Sequence, residues 1–234
     1  MNTSPSAIRV LCFGDSNTHG RDAQVKAEQG IKTRYPINVR WTGQLQKMLG
    51  DKFEVLEEGL GGRTTNLDDP TAEGKNGLTY LLPCLESHSP LDLVVLMLGT
   101  NDLKHIFNRT PSDIAQANKQ LISVIRRQAG NKVKILLISP VTVDGTNPLA
   151  LENYQGATKK SQQLGGEFKQ IAQEMDCTFL DLASSVKPSH YDGVHIDASD
   201  QAVIAKLVYQ QIQTLLGYIW DNNCKVICQA YCQC

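Results

Sequence analysis

The chain has 234 residues and a formal net charge of −1, with 41% hydrophobic and 20% charged residues. That length fits one α/β domain, and the absence of a basic block excludes nucleic acid as the expected partner. No apolar run approaches the roughly 20 residues needed to span a bilayer, and Met1 to Ala7 lacks the charged start, apolar stretch and cleavage site of a signal peptide, so a cytoplasmic protein without a membrane partner is expected.

The first apolar run, Ile8-Arg9-Val10-Leu11-Cys12-Phe13, reads as a strand. Gly14-Asp15-Ser16-Asn17-Thr18-His19-Gly20 follows directly. A serine between glycines at a strand end is lifted out of the sheet. Residues 38–49 read as a helix with Trp41, Leu45, Met48 and Leu49 on one side. A second strand is expected over 53–57, running into Gly59-Leu60-Gly61-Gly62. Residues 78–85 look helical, with Pro83 weakening the end. The nearly continuous apolar run 91–98 suits a strand covered on both faces.

Thr110-Pro111-Ser112-Asp113 opens a helix: a capping threonine, proline at the first position and an acid in the first turn. Residues 133–139 form another buried strand, 154–174 a helix and 177–182 a last short strand. Ser199 or Asp197 caps a final helix through Leu216. Strand and helix thus alternate about five times, which implies a parallel sheet with helices on both faces. Ligands of such sheets sit outside the carboxyl ends of the strands, where 14–20, 59–65 and 99–102 all fall. The longer connections, 19–36 and 140–153, are candidates for pocket walls or lids. The first of them is charged and is also a candidate oligomer contact.

Residues 1–218 are expected to form one domain and 219–234 a cysteine-rich tail. Cys12, Cys84 and Cys177 lie in or beside apolar stretches and read as small buried hydrophobes. Cys224, Cys228, Cys232 and Cys234 lack the paired C-x-x-C spacing of a zinc site, although a helix would put the first three on one face. A frayed tail is the preferred reading there.

A serine hydroxyl needs a base to take its proton and a third group to orient that base. Ser16, His195 and Asp192 supply all three, the last two in Asp192-Gly193-Val194-His195. Negative charge on an attacked carbonyl oxygen needs donors. The Ser16 N–H, an N–H of Gly61-Gly62 and the Asn101 amide of Gly99-Thr100-Asn101-Asp102 are the candidates.

The set Gly14-Asp15-Ser16, Gly61-Gly62, Gly99-Thr100-Asn101-Asp102 and Asp192-x-x-His195 resembles the SGNH (GDSL) hydrolases. All four blocks stand in that family's order. The resemblance implies a flavodoxin-like three-layer α/β/α sandwich. It implies Ser16 as nucleophile, Ser16, Gly62 and Asn101 as oxyanion hole, and Asp192 and His195 as the rest of a triad, with no metal or organic cofactor. The segment from Glu57 to Pro70, with Met97-Leu98 before Gly99, is similar to the bacterial arylesterase/acyltransferase branch. That likeness implies a small-molecule ester substrate of short-chain or aryl type, and some members are oligomers. Acyl transfer, acyl-CoA thioester cleavage and carbohydrate deacetylation are rival activities of the same triad. A flavodoxin-like phosphate- or flavin-binding module is the rival of a different class.

Asp15, His19, Trp41, Phe107 and Tyr191 are candidates for the substrate pocket, Asp15 also as a brace of its loop and Trp41 as a core residue. His190 competes with His195 for the role of base, while His88 and His105 read as surface residues. Arg63 is expected to bond neighbouring carbonyls or Asp68.

Overall fold

The computed structural model describes residues 6–24, 33–221 and 225–228. Five strands form one sheet in the order β2-β1-β3-β4-β5, all parallel. They are β1 (Ile8–Gly14), β2 (Phe53–Gly59), β3 (Leu93–Met97), β4 (Lys134–Ser139) and β5 (Thr178–Asp181). This is the flavodoxin-like order. β3 lies at its centre and every one of its residues is buried, which is why 91–98 carries no polar alternation.

Parallel strands need crossovers, and helices supply them on both faces. α2 (Trp41–Leu49) and α7 (Ala198–Leu215) cover one face, where Trp41, Leu45, Ile204, Val208 and Ile212 pack on Val10, Val95 and Ile138. α3 (Gly77–His88), α4 (Pro111–Ala129), α5 (Pro148–Tyr154) and α6 (Ala157–Glu174) cover the other. There Leu81, Ile114, Leu121, Leu164 and Phe168 pack on Leu11, Phe13, Leu96 and Leu137.

Local chemistry sets the helix starts. At α4, Thr110 accepts from the Asp113 N–H and the Asp113 carboxylate accepts from the Thr110 N–H, a complete capping box with proline at the first turn. The Asn147 side chain caps α5, all but the last residue of which lies inside the segment expected to be a loop. α3 runs through Pro83 to His88, three residues past the expected end. The Asp197 residue heads α7 without a side-chain cap.

After α7 the strands β6 (Tyr218–Asp221) and β7 (Lys225–Cys228) form a separate antiparallel pair. Cys228 therefore lies in a strand, not on a helical face; Cys224, Cys232 and Cys234 lie outside the described residues. Cys12 and Cys84 are buried and Cys177 is half-buried. Among the described residues, no helix is long and apolar enough to cross a membrane.

Candidate active site

The carboxyl end of β1 turns straight into a four-residue helix, α1 (Ser16–His19). Gly14 is required at that turn, because a Cβ there would stand 2.1 Å from Thr18 Oγ1 and 2.9 Å from the Met97 carbonyl. Asp15 caps the helix, its Oδ1 accepting from the Asn17 N–H at 2.9 Å. Ser16 is the first helical residue, so its own N–H has no acceptor within the helix. The hydroxyl faces a cleft of about 650 Å³.

The second element arrives from 179 residues downstream. His195 Nε2 lies 2.9 Å from Ser16 Oγ, and His195 Nδ1 lies 2.6 Å from Asp192 Oδ2. The other Asp192 oxygen accepts from the N–H groups of Val194 and His195, both at 2.9 Å. The carboxylate thus closes its own turn and aims the imidazole at once. Buried Val194 and Ile196 anchor the segment on either side. Burial opposes ionisation of Asp192, but the hydrogen bonds and charge of His195 and the two backbone donors hold its carboxyl below the ordinary range. An ionised Asp192 accepts only, so it selects the His195 tautomer with the proton on Nδ1 and leaves Nε2 free to accept from Ser16.

Two further strand ends close the site. Gly62 follows β2 with φ of +80°, the left-handed region that glycine enters without strain. Asn101 follows β3. Its Nδ2 donates to the Arg63 carbonyl at 3.0 Å, and its Oδ1 accepts from the Tyr154 hydroxyl at 3.2 Å. Ser16, Gly61, Gly62, Asn101, Asp192 and His195 all line the same cleft.

Behind this wall lie polar residues whose roles are not local in sequence. Asp102 is fully buried and accepts from the Thr65 N–H at 2.9 Å and from the Thr65 hydroxyl, tying the end of β3 to the turn after Gly62. Burial pushes its carboxyl up, while those bonds and Arg109 act against the rise. Arg63 donates to the carbonyls of Gly14 and Glu58, and its guanidinium lies 4.3 Å from the Phe13 ring centroid. It therefore bonds neighbouring carbonyls, as expected; Asp68 instead accepts from Asn76. Tyr154 is missed by pattern reading, because nothing near it in sequence points to Asn101. Burial raises its phenol far above the ordinary value, so it remains a donor.

Of the residues expected in the pocket, only Tyr191 lines the cleft, at 44% exposure. Trp41 is wholly buried among β1, α2 and α7. Phe107 lies in a short 3-10 turn away from the cleft lining. Asp15 sits beneath the serine as its helix cap. His19 does not line the cleft; its backbone packs closely on Gly59, where a Cβ would fall 2.1 Å from the His19 nitrogen. His190 is no rival base: its side chain is 76% exposed and packs at a tilt against the Tyr191 ring. His105 bonds the Asn153 carbonyl, and His88 is half-buried against Glu58. Both long connections do wall the cleft, through Arg21, Ala23 and Gln24 on one side and Leu149, Glu152 and Asn153 on the other.

Comparison with known proteins agrees with this geometry. The model of the GDSL-like lipase/acylhydrolase family matches residues 12–203. The aryl esterase of M. smegmatis is 36% identical, with a TM-score of 0.83 over 90% of this chain and 100% of that one. A carbohydrate acetylesterase from Sinorhizobium meliloti is also 36% identical, with a TM-score of 0.83 over 89% of this chain and 99% of the other. An acetylxylan esterase of Xylanibacter ruminicola is 32% identical over 133 residues, 55% of this chain but only 24% of that longer protein. A phosphate- or flavin-binding module would not share this match. The chain belongs to the GDSL-like lipase/acylhydrolase family and is a carboxylic ester hydrolase.

Proposed function

We propose that the chain is a serine esterase that cleaves short-chain or aryl carboxylic esters through an acyl-enzyme on Ser16. The observation that carries this reading is the unbroken relay from Ser16 Oγ to His195 Nε2 at 2.9 Å and from His195 Nδ1 to Asp192 Oδ2 at 2.6 Å. In the first half-reaction Ser16 Oγ attacks the ester carbonyl and His195 Nε2 takes its proton. The oxyanion receives the N–H groups of Ser16 and Gly62 and the free Nδ2 hydrogen of Asn101. His195 then protonates the leaving alcohol. In the second half-reaction His195 deprotonates water, which releases the acid and restores Ser16. No step calls on a metal or an organic cofactor.

The cleft lining suggests how the two ends of the ester divide. Leu149 and Tyr191 offer an exposed apolar rim, whereas Gln24, Asp69, Thr71, Lys75 and Glu152 are polar. The polar side favours a second reading in which the alcohol is a carbohydrate, consistent with the carbohydrate acetylesterase among the similar structures. The test is a panel of p-nitrophenyl esters, acetylated sugars and acyl-CoA thioesters, each with and without added alcohol. Turnover of short p-nitrophenyl or sugar esters, with water as the main acceptor, is expected. Cleavage confined to acyl-CoA would overturn the substrate class, and product made only with added alcohol would make the protein a transferase.

A further inference from the structure

A second cluster of reactive side chains lies outside the cleft, at the edge of the sheet. Glu58 projects from β2, the edge strand, toward α3. Cys84 and His88 stand four residues apart on α3, which puts them on one helical face. One donor atom from each of Glu58, Cys84 and His88 lies within 4.8 Å of the others. His88 Nε2 and Glu58 Oε1 are 2.8 Å apart, and the Tyr80 hydroxyl donates to Glu58 Oε2 at 3.2 Å.

Read alone, the Glu58–His88 contact is an ordinary side-chain bond, of the sort worth at most about 1 kcal/mol at a partly exposed edge. It does not account for the soft donor beneath it. Cys84 is 1% exposed, while the His88 and Glu58 side chains are 26% and 19% exposed. The cluster therefore has a closed inner side and a solvent-facing outer side. One sulfur, one imidazole nitrogen and one carboxylate oxygen are a ligand set for zinc-class ions, not for magnesium or calcium. In a tetrahedral zinc site the ligand atoms stand about 3.4 Å apart, given bond lengths of about 2.0–2.3 Å. The His88–Glu58 spacing of 2.8 Å falls below that value, and no donor atom of the three stands more than 4.8 Å from another.

We propose that Glu58, Cys84 and His88 bind one thiophilic divalent cation of the zinc class, with solvent in the fourth position. On binding, the Cys84 thiol loses its proton to solvent, neutral His88 supplies Nε2, and Glu58 exchanges its bond from His88 for the ion. The two anionic ligands then balance the ionic charge. Such an ion would clamp the edge strand β2 to α3. It would sit behind the turn that carries Gly62, to which Glu58 is joined through the Arg63 bond to its carbonyl. The role is structural: the ion does not reach the triad.

Cobalt(II) titration of the full-length protein tests this, because a thiolate ligand adds a near-ultraviolet charge-transfer band to the visible cobalt spectrum. The tail cysteines are thiols too, so the measurement uses the full chain carrying Cys224→Ser, Cys228→Ser, Cys232→Ser and Cys234→Ser. One equivalent of cobalt with a charge-transfer band is expected, displaced by zinc. Adding Cys84→Ser should abolish the band, and adding His88→Ala should weaken binding at least tenfold, with esterase turnover kept within about threefold. Zinc should raise the melting temperature of the tail-substituted protein and not that of its His88→Ala derivative. If Cys84→Ser does not fold, the partly exposed His88→Ala carries the test alone. No bound cobalt, a band that survives Cys84→Ser, or an affinity unchanged in His88→Ala would each overturn the proposal.

Discussion

Tyr154→Phe isolates a contact to the candidate oxyanion hole that comes from α5, distant in sequence from the strand ends and the triad. The substitution keeps the buried ring and removes only the hydroxyl that donates to Asn101 Oδ1 at 3.2 Å. Asn101 then keeps a single anchor, its Nδ2 bond to the Arg63 carbonyl at 3.0 Å. A buried hydrogen bond of this kind contributes about 1–1.5 kcal/mol net, and a buried acceptor left unpaired costs about 1–3 kcal/mol of stability. If the lost restraint appears in full in the transition state, kcat falls about 5- to 12-fold. Deleting the donor itself, in Asn101→Ala, is expected to cost about 10²–10³. The assay is steady-state hydrolysis of a p-nitrophenyl ester by the two single variants and the double variant, with melting temperatures alongside. Under the proposed role, in which the contact serves the developing oxyanion and not the bound ester, KM should barely move in Tyr154→Phe. In the Asn101→Ala background Tyr154→Phe should cost almost nothing further, since its target is gone. A full, additive loss in the double variant, or an unchanged kcat in Tyr154→Phe, would refute the positioning role of Tyr154.

Asp192→Asn should lower kcat by about 10³–10⁴ with the fold intact, because the amide no longer selects the Nδ1–H tautomer of His195; kcat at several pH values checks it. Gly62→Ala meets no close atom, the nearest being Lys75 Cδ at 3.6 Å, but must hold φ of +80°. It should lose about 1–2 kcal/mol in chemical denaturation, along with turnover as the N–H moves. Asp15 supplies a pH signature: burial pushes its carboxyl from the ordinary 3.8 up to about 6. The folded state then holds a proton that the unfolded state has lost, so this group's contribution is full below pH 4 and is lost as pH rises toward 6 and beyond. The drop is about 3 kcal/mol. Asp15→Asn should remove that slope, and denaturation at pH 4 and pH 7 reads the difference.

Much of the site was legible because it lies at strand ends. Apolar runs marked β1 and β3, and the small and polar residues directly after them carried the Gly14-Asp15-Ser16 and Gly99-Thr100-Asn101-Asp102 blocks to the cleft. Asp192 and His195 were legible because their three-residue spacing lets one side chain both close the turn and reach the ring. What stayed hidden depends on contacts between distant segments. α5 is short and leaves Leu149 and Leu151 exposed, so no apolar periodicity announced it. Its last residue, Tyr154, meets Asn101 only in the folded chain. The aromatic residues expected in the pocket illustrate the same limit: Trp41 satisfies a core position equally well, and nothing local distinguishes the two fates. Pro83 misled because the helix tolerates it and continues to His88, and this is what brings His88 into line with Cys84.

The proposed chemistry rests on the Ser16 hydroxyl, activated by His195, forming a covalent acyl-enzyme. Intact-mass analysis after incubation with a fluorophosphonate tests it most directly. A single adduct on Ser16 is expected, together with loss of that adduct in Ser16→Ala and a fall in turnover of at least about 10³-fold in the same folded variant. An adduct that persists in Ser16→Ala, or turnover that survives it, would contradict the assignment.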